Sequence, residues 1–159
     1  AEQSDDITVL VVQYHGGSHN SDDRQFEMII VNEISEIDRF QSQFAEFAAE
    51  QGIPATTMQK VQVVFEDLLA NIIFYAYDDE AEHEIEISMN SNGEQLKITV
   101  VDDGLPFNPL EAEKPDTTLD LQDREIGGLG IYLVLNLMEE VTYERRGERN
   151  VITLTKKID

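Results

Sequence analysis

Apolar and polar positions alternate along this chain with two distinct periods, and each change of period marks a new element. From Thr57 to Tyr77, the residues Val61, Val64, Phe65, Leu68, Leu69, Ile72 and Tyr75 recur at steps of three and four, the spacing of one face of an α-helix about five turns long. Thr56 or Thr57 stands where it can cap the start. A helix over Ile34 to Glu50 is predicted the same way, with Ile34, Ile37, Phe40, Phe44, Phe47 and Ala48 as its apolar face. Gly52 can end that helix, and Pro54 prevents its running into the next.

Elsewhere the period is two. Phe26 to Val31 reads as a strand. Glu84 to Asn90 turns Ile85, Ile87 and Met89 inward against Glu84, Glu86 and Ser88 outward, and Asn92-Gly93 then turns the chain into a strand over Leu96 to Val101. Val141 to Arg145 and Val151 to Lys156 form a second hairpin turned at Gly147. Between the hairpins, Asp103 to Ile126 holds Pro106, Pro109 and Pro115 and keeps no sustained period; a stretch of that length in a compact domain is a functional lid or a disordered segment. Gly127-Gly128-Leu129-Gly130 follows and opens a helical pattern carried by Ile131, Leu133, Val134, Leu137 and Met138.

The first part of the chain stands apart. Ile7 to Tyr14 is a β-branched strand preceded by Asp5 and Asp6, and Gly16 to Asp23 has the composition of a linker with nothing apolar to pack. Residues 1–15 are therefore expected to be a remnant strand, 16–24 a linker and 25–158 one domain. The detached strand, together with Ala1 in place of a starting Met, reads as a piece of something longer.

Composition narrows the partners. With 159 residues, 41% of them hydrophobic, the chain can bury one sizeable core. Its 33 Asp and Glu against 11 Lys and Arg give a formal charge of -22, which repels a phosphate backbone over most of the surface, so nucleic acid is not expected as a partner. Cysteine is absent, and no apolar run approaches the length of a membrane span or a signal peptide; a cytoplasmic protein with no membrane partner is the expectation.

Three stretches carry chemistry. Asp67 and Asn71 lie four apart on the central helix, so a carboxylate and an amide share one ledge and offer hard oxygen ligands with a base beside them. Asp102 ends a buried strand with Gly104 two residues on, where its carboxylate needs a donor that either the exocyclic amine of adenine or a backbone turn could supply. The glycines of 127–130 leave backbone N–H groups free at a helix start, which reads either as a cradle for phosphate or as a loop that needs positive φ.

Taken in order, Phe65-Glu66-Asp67-Leu68-Leu69-Ala70-Asn71, Asp102-Asp103-Gly104-Leu105-Pro106-Phe107 and Ile126-Gly127-Gly128-Leu129-Gly130-Ile131 resemble the ATP-binding Bergerat fold shared by gyrase, the heat-shock chaperone, histidine kinases and MutL, and within it the anti-sigma-factor serine kinases. The resemblance covers about residues 25–158. It implies an α+β two-layer sandwich, a mixed, mostly antiparallel sheet with helices on one face, and ATP held with Mg²⁺ between helix and lid. By position, Asn71 becomes the Mg²⁺ ligand, Asp102 the adenine partner and Gly104 a glycine beside the base. Gly128, Leu129 and Gly130 become the phosphate binders, with Lys114 and Arg124 as basic residues able to approach the phosphates.

Several positions depart from the family pattern. The usual catalytic Glu four residues before the Asn is Asp67, with Glu66 one step earlier on a face shared with Gln62 and Tyr77; Asp67 is preferred as the base because it lies over Asn71. Pro106 replaces the second glycine of Asp-x-Gly-x-Gly. A Thr common on the last strand near adenine is replaced by Val151, leaving Thr153 as the substitute.

The implied function is a protein serine kinase that phosphorylates an anti-sigma-factor antagonist and binds a sigma factor. The alternative is a nucleotide-gated binding module with little catalysis. A histidine kinase fits less well, since His15, His19 and His83 lie on no dimerisation helix. Ser4 to Val12 is similar to the closing strand of metal-dependent serine phosphatases. Residues 1–15, cut from such a sheet, either extend along an exposed edge or pair with a second copy in a homodimer.

Overall fold

Two α-helices lie against one face of a five-stranded sheet in the computed structural model, which describes residues 24–108 and 134–158. The elements run β1 (Arg24–Val31), α1 (Ser35–Glu50), α2 (Ala55–Tyr75), β2 (Glu84–Ser91), β3 (Gln95–Asp102), β4 (Glu140–Arg146) and β5 (Arg149–Lys157), with a helical turn at residues 134–137 before β4. The strand order is β1-β2-β3-β5-β4, and all four pairings among the described residues are antiparallel. This is the α+β sandwich that the resemblance implies. No helix among the described residues is long and apolar enough to cross a membrane. The readings of residues 1–15 and of most of the 16–24 linker fall outside the described residues.

The core follows the sequence periods. On α2, Val61, Val64, Phe65, Leu68, Leu69 and Ile72 are all buried, each contributing on the order of 1.5–3 kcal/mol by leaving water. They meet the inward side of the sheet, where Ile85, Ile87, Met89, Leu96, Ile98, Val100, Ile152 and Leu154 are almost fully buried. A run of aromatic contacts ties the layers together: Phe40 of α1 stands 4.4 Å from Phe65 of α2 and 6.2 Å from Phe26 of β1, ring centre to ring centre, and Phe26 is 5.4 Å from Phe47. Such offset and edge contacts favour one packing angle over others.

Some boundaries differ from expectation. Neither Thr56 nor Thr57 caps α2; the cap position is Pro54, at φ -58 and ψ 146, and both threonines lie inside the first turn. Proline supplies the right φ for entering a helix but no side-chain acceptor. Tyr75 and Ile34, expected in the core, are about half exposed at 53% and 48%, because each sits at a helix end beyond the reach of the sheet. The helix also stops at Tyr75, so Tyr77 is not on the face of Glu66 but in the following loop. Gly52 does end α1: it has φ +68 and its N–H donates to the Ala49 carbonyl, while the Ile53 N–H donates to that of Ala48.

Candidate functional site

Helix period and strand parity bring two of the three predicted stretches to one end of the molecule. Asp67 and Asn71 stand on a half-buried ledge of α2, whereas Glu66 is exposed on the solvent side. The Asn71 amide donates from Nδ2 to the Asp67 carbonyl at 2.8 Å, and its Oδ1 accepts nothing among the described residues, so the oxygen of this amide is the atom available to a cation. Partial burial, and then the neighbouring charge of Glu66, push the Asp67 carboxyl above its ordinary value of 3.8. That moves it toward the range where a carboxylate accepts protons well near neutral pH.

Asp102 closes β3 and is 3% exposed. Its Oδ1 accepts the Gly104 N–H at 2.9 Å and the Asn150 Nδ2 at 3.0 Å. Burial raises its affinity for a proton, opposed chiefly by those two donors and by Arg145. The backbone turn anticipated from Asp-x-Gly is therefore real, but it supplies only part of the satisfaction.

Gly104 is required by contact. A Cβ there would lie 2.6 Å from the Ala76 Cβ, 2.7 Å from the Ala76 carbonyl oxygen and 2.9 Å from Asp102 Oδ1. The Leu105 N–H donates to the same Ala76 carbonyl at 2.7 Å. The segment after β3 is thus sewn to the end of α2, and Asn71 lies five residues before Ala76, about 7.5 Å along the helix.

Asn150 was not anticipated. It pairs across the ladder with both Asp102 and Arg145, so these three side chains form a polar row at the end of the helix-covered face. Val151, which stands in place of the family Thr, and Thr153, offered as its substitute, pair with Val101 and Thr99 and therefore point to the opposite face of the sheet. The missing signal was register: counting back one residue from Val151 reaches the correct parity, but only the pairing of β3 with β5 shows it. Gly128, Leu129, Gly130, Lys114 and Arg124 lie outside the described residues.

A further contact fixes the loop between α2 and β2. His83 stacks on Tyr77 with ring centres 4.2 Å apart at 11°, and its ring nitrogens face Asp79 Oδ1 at 2.7 Å and Asp103 Oδ1 at 3.1 Å. Carboxylates only accept, so both bonds form together only when both ring nitrogens carry hydrogen. The bond to Asp79 is the main cause raising the His83 pKa above 6.5, and the same bond holds Asp79 below 3.8. A base whose folded pKa is raised stabilises the fold below its unfolded value and loses that contribution as pH climbs through the folded value. Relative to His83→Gln, the wild type is thus expected to lose thermal stability as pH rises above 6.5. Melting curves read by circular dichroism check this, and parallel pH profiles for the two proteins would refute the charged clamp.

Mg²⁺ requires few protein ligands, since it keeps waters and binds substrate phosphates. Among the described residues no cluster of three or more His, Cys, Asp or Glu is arranged to hold a metal, whereas the free oxygen of Asn71 beside Asp67 suits a cation carried largely by a nucleotide.

Comparison with known proteins agrees with this geometry. The family model for the histidine kinase-like ATPase domain matches residues 30–156. The serine/threonine-protein kinase BtrW of Bordetella bronchiseptica is 27% identical over 90 residues, 57% of this chain and 63% of that protein. The anti-sigma F factor of Bacillus subtilis is 24% identical over 115 residues, covering 72% and 79%. The serine-protein kinase RsbW of Listeria monocytogenes is 26% identical over 99 residues, covering 59% and 62%. The matched region thus spans just under two thirds of two of these relatives. A crystal structure of the RsbU and RsbW domains of a Mycobacterium tuberculosis protein superposes with a TM-score of 0.59 at 12% identity, over 84% of this chain and 32% of that one, a likeness of fold. With a family model that matches most of its length, the chain belongs to the histidine kinase-like ATPase domain family.

Proposed function

We propose that this domain is a cytoplasmic ATP-dependent protein serine kinase of the anti-sigma-factor type, transferring a phosphoryl group to a serine of an antagonist protein and binding a sigma factor. The observation that carries this reading is the half-buried Asp67, its carboxyl pushed up by burial, one helical turn from an Asn71 oxygen that accepts nothing among the described residues. Support comes from the kinases and the anti-sigma factor among its relatives.

Asp102 accepts the adenine amine in this reading, and Asn71 holds Mg²⁺. The cation, when bound, neutralises phosphate charge that a protein of net charge -22 would otherwise repel. Gly128, Leu129 and Gly130 offer N–H groups to the phosphates, with Lys114 and Arg124 as their basic neighbours. Asp67 takes the proton of the substrate serine as its oxygen bonds to the γ-phosphorus. The bond to the β-γ bridging oxygen breaks, and ADP departs with that electron pair. Residues 1–15 are read as the last strand of an upstream phosphatase domain, on the strength of Ser4 to Val12 alone.

The test is incubation with γ-labelled ATP and candidate antagonist proteins, with and without Mg²⁺, for wild type and Asn71→Ala. Label is expected on a serine of a cognate antagonist, dependent on Mg²⁺ and sharply reduced in Asn71→Ala. Equal ATP affinity with and without Mg²⁺ would remove the metal assignment. Tight ATP binding with no transfer to any antagonist would instead favour a nucleotide-gated binding module.

A further inference from the structure

Asn150 is 2% exposed and makes more polar contacts than any other described side chain near Asp102. Its Oδ1 accepts from the Tyr143 hydroxyl at 2.6 Å, from Arg145 Nη1 at 3.1 Å and from the Phe107 N–H at 3.4 Å. Its Nδ2 donates to Asp102 Oδ1 at 3.0 Å and to the Leu105 carbonyl at 2.8 Å. The orientation of this amide is dictated by chemistry. A guanidinium and a backbone N–H can only donate, and a carboxylate and a carbonyl can only accept, so exchanging the amide O and N would set donor against donor and acceptor against acceptor.

We infer that Asn150 is a positioning residue for purine recognition, holding Asp102 as a one-sided acceptor with Oδ1 occupied and Oδ2 open, while the same amide fastens residues 105–107 to the sheet. The inference rests on the nucleotide-binding reading above and adds a residue that sets selectivity without touching the base. Asp102 Oδ1 is spent on Asn150 and on the Gly104 N–H, and Oδ2 accepts nothing among the described residues. An oxygen that only accepts welcomes the amino group of adenine and rejects the carbonyl that guanine presents at the same ring position. Arg145 completes the device, since its Nη1 also donates to the Gly104 carbonyl at 2.8 Å and so joins β4 to the same turn. A buried network in which every donor faces an acceptor holds one geometry, and one wrong atom disturbs its partners.

Asn150→Asp is the incisive variant because it preserves shape while replacing the donating NH₂ by an accepting, ionisable oxygen. It places a second carboxylate where an amide donor stood 3.0 Å from Asp102; two carboxylates so close share a proton, and Asp102 is no longer purely an acceptor. Asn150→Asp is expected to lower the ratio of ATP to GTP affinity at least tenfold at neutral pH, and to raise amide exchange at Gly104 and Phe107 without nucleotide. The double variant Asp102→Asn with Asn150→Asp does not repair the pair, because Asp102 Oδ1 accepts from both the Gly104 N–H and the Asn150 Nδ2, and no single amide atom can accept from the first while donating to a carboxylate in place of the second. It is expected to recover neither protection at Gly104 nor the preference for ATP, and recovery of both would overturn the inference. Unchanged selectivity and unchanged exchange in Asn150→Asp would overturn the inference. So would rapid exchange at the Phe107 N–H in the unmodified chain, a measurement that requires no variant to fold. If the wild type binds no purine nucleotide, the nucleotide-binding reading fails, and the role assigned to Asn150 in selectivity fails with it; the exchange data then report separately on whether Asn150 fastens residues 105–107.

Discussion

Asp67→Asn is expected to lower phosphoryl transfer by about a hundredfold to ten-thousandfold while leaving nucleotide affinity within a fewfold of wild type, the range that a lost general base accounts for. The amide keeps the shape of the carboxylate but cannot take a proton, and among the described residues no hydrogen bond or ion pair uses the Asp67 carboxylate, the Asn71 amide bonding instead to its backbone carbonyl. Asp67→Glu should move the other way. The family carboxylate at this position sits on a side chain longer by one methylene, a reach of roughly 1.5 Å, and misplacement by about 1 Å can cost about a hundredfold in rate. Glu66→Gln should have little effect on transfer, because Glu66 faces solvent and acts on Asp67 only as a neighbouring charge. Rates for all three variants with a serine substrate, beside nucleotide titrations, decide the matter. Loss of transfer in Glu66→Gln alone would move the base to Glu66, and an Asp67→Glu variant no faster than wild type would show that reach is not what limits the step.

Gly104→Ala is expected to destabilise the domain by about 2–4 kcal/mol, combining overpacking with a strained hydrogen bond. The added Cβ would stand 2.6 Å from the Ala76 Cβ and 2.7 Å from its carbonyl oxygen. Neither atom belongs to a flexible side chain, so the end of α2 and the turn after β3 must separate. Separation lengthens the 2.7 Å bond from the Leu105 N–H to Ala76, and it carries Asp102 out of alignment through the Gly104 N–H. Chemical denaturation measures the loss. Adding Ala76→Gly removes the nearer of the two contacts and should recover part of the stability but not all, because the carbonyl remains. A Gly104→Ala protein as stable as wild type would show that the two elements can part freely.

Much of this architecture was legible in the residues because local periods are physical. A helix places every third or fourth side chain on one face and a strand every second, so Val61 through Ile72 and Ile85 through Met89 announced their buried sides before any packing was known. The ledge of Asp67 and Asn71 follows from a spacing of four, and the turn at Gly104 from its neighbour Asp102. The order of these stretches along the chain was enough to point to a histidine kinase-like ATPase domain. What no local period could supply was register between elements distant in sequence. Asn150 lies 48 positions from Asp102, and only the pairing of β3 with β5 sets them side by side. The same holds for Gly104 against Ala76, where a glycine that the resemblance placed beside the base is demanded by helix packing. Tyr77 shows the converse error: extending the helical period past Tyr75 assigned it to a face of α2, whereas the chain leaves the helix and stacks Tyr77 on His83. Sequence period determined which side of each element is buried. Tertiary contact alone decided which polar groups meet at its ends, because those meetings depend on strand register and on where each helix stops.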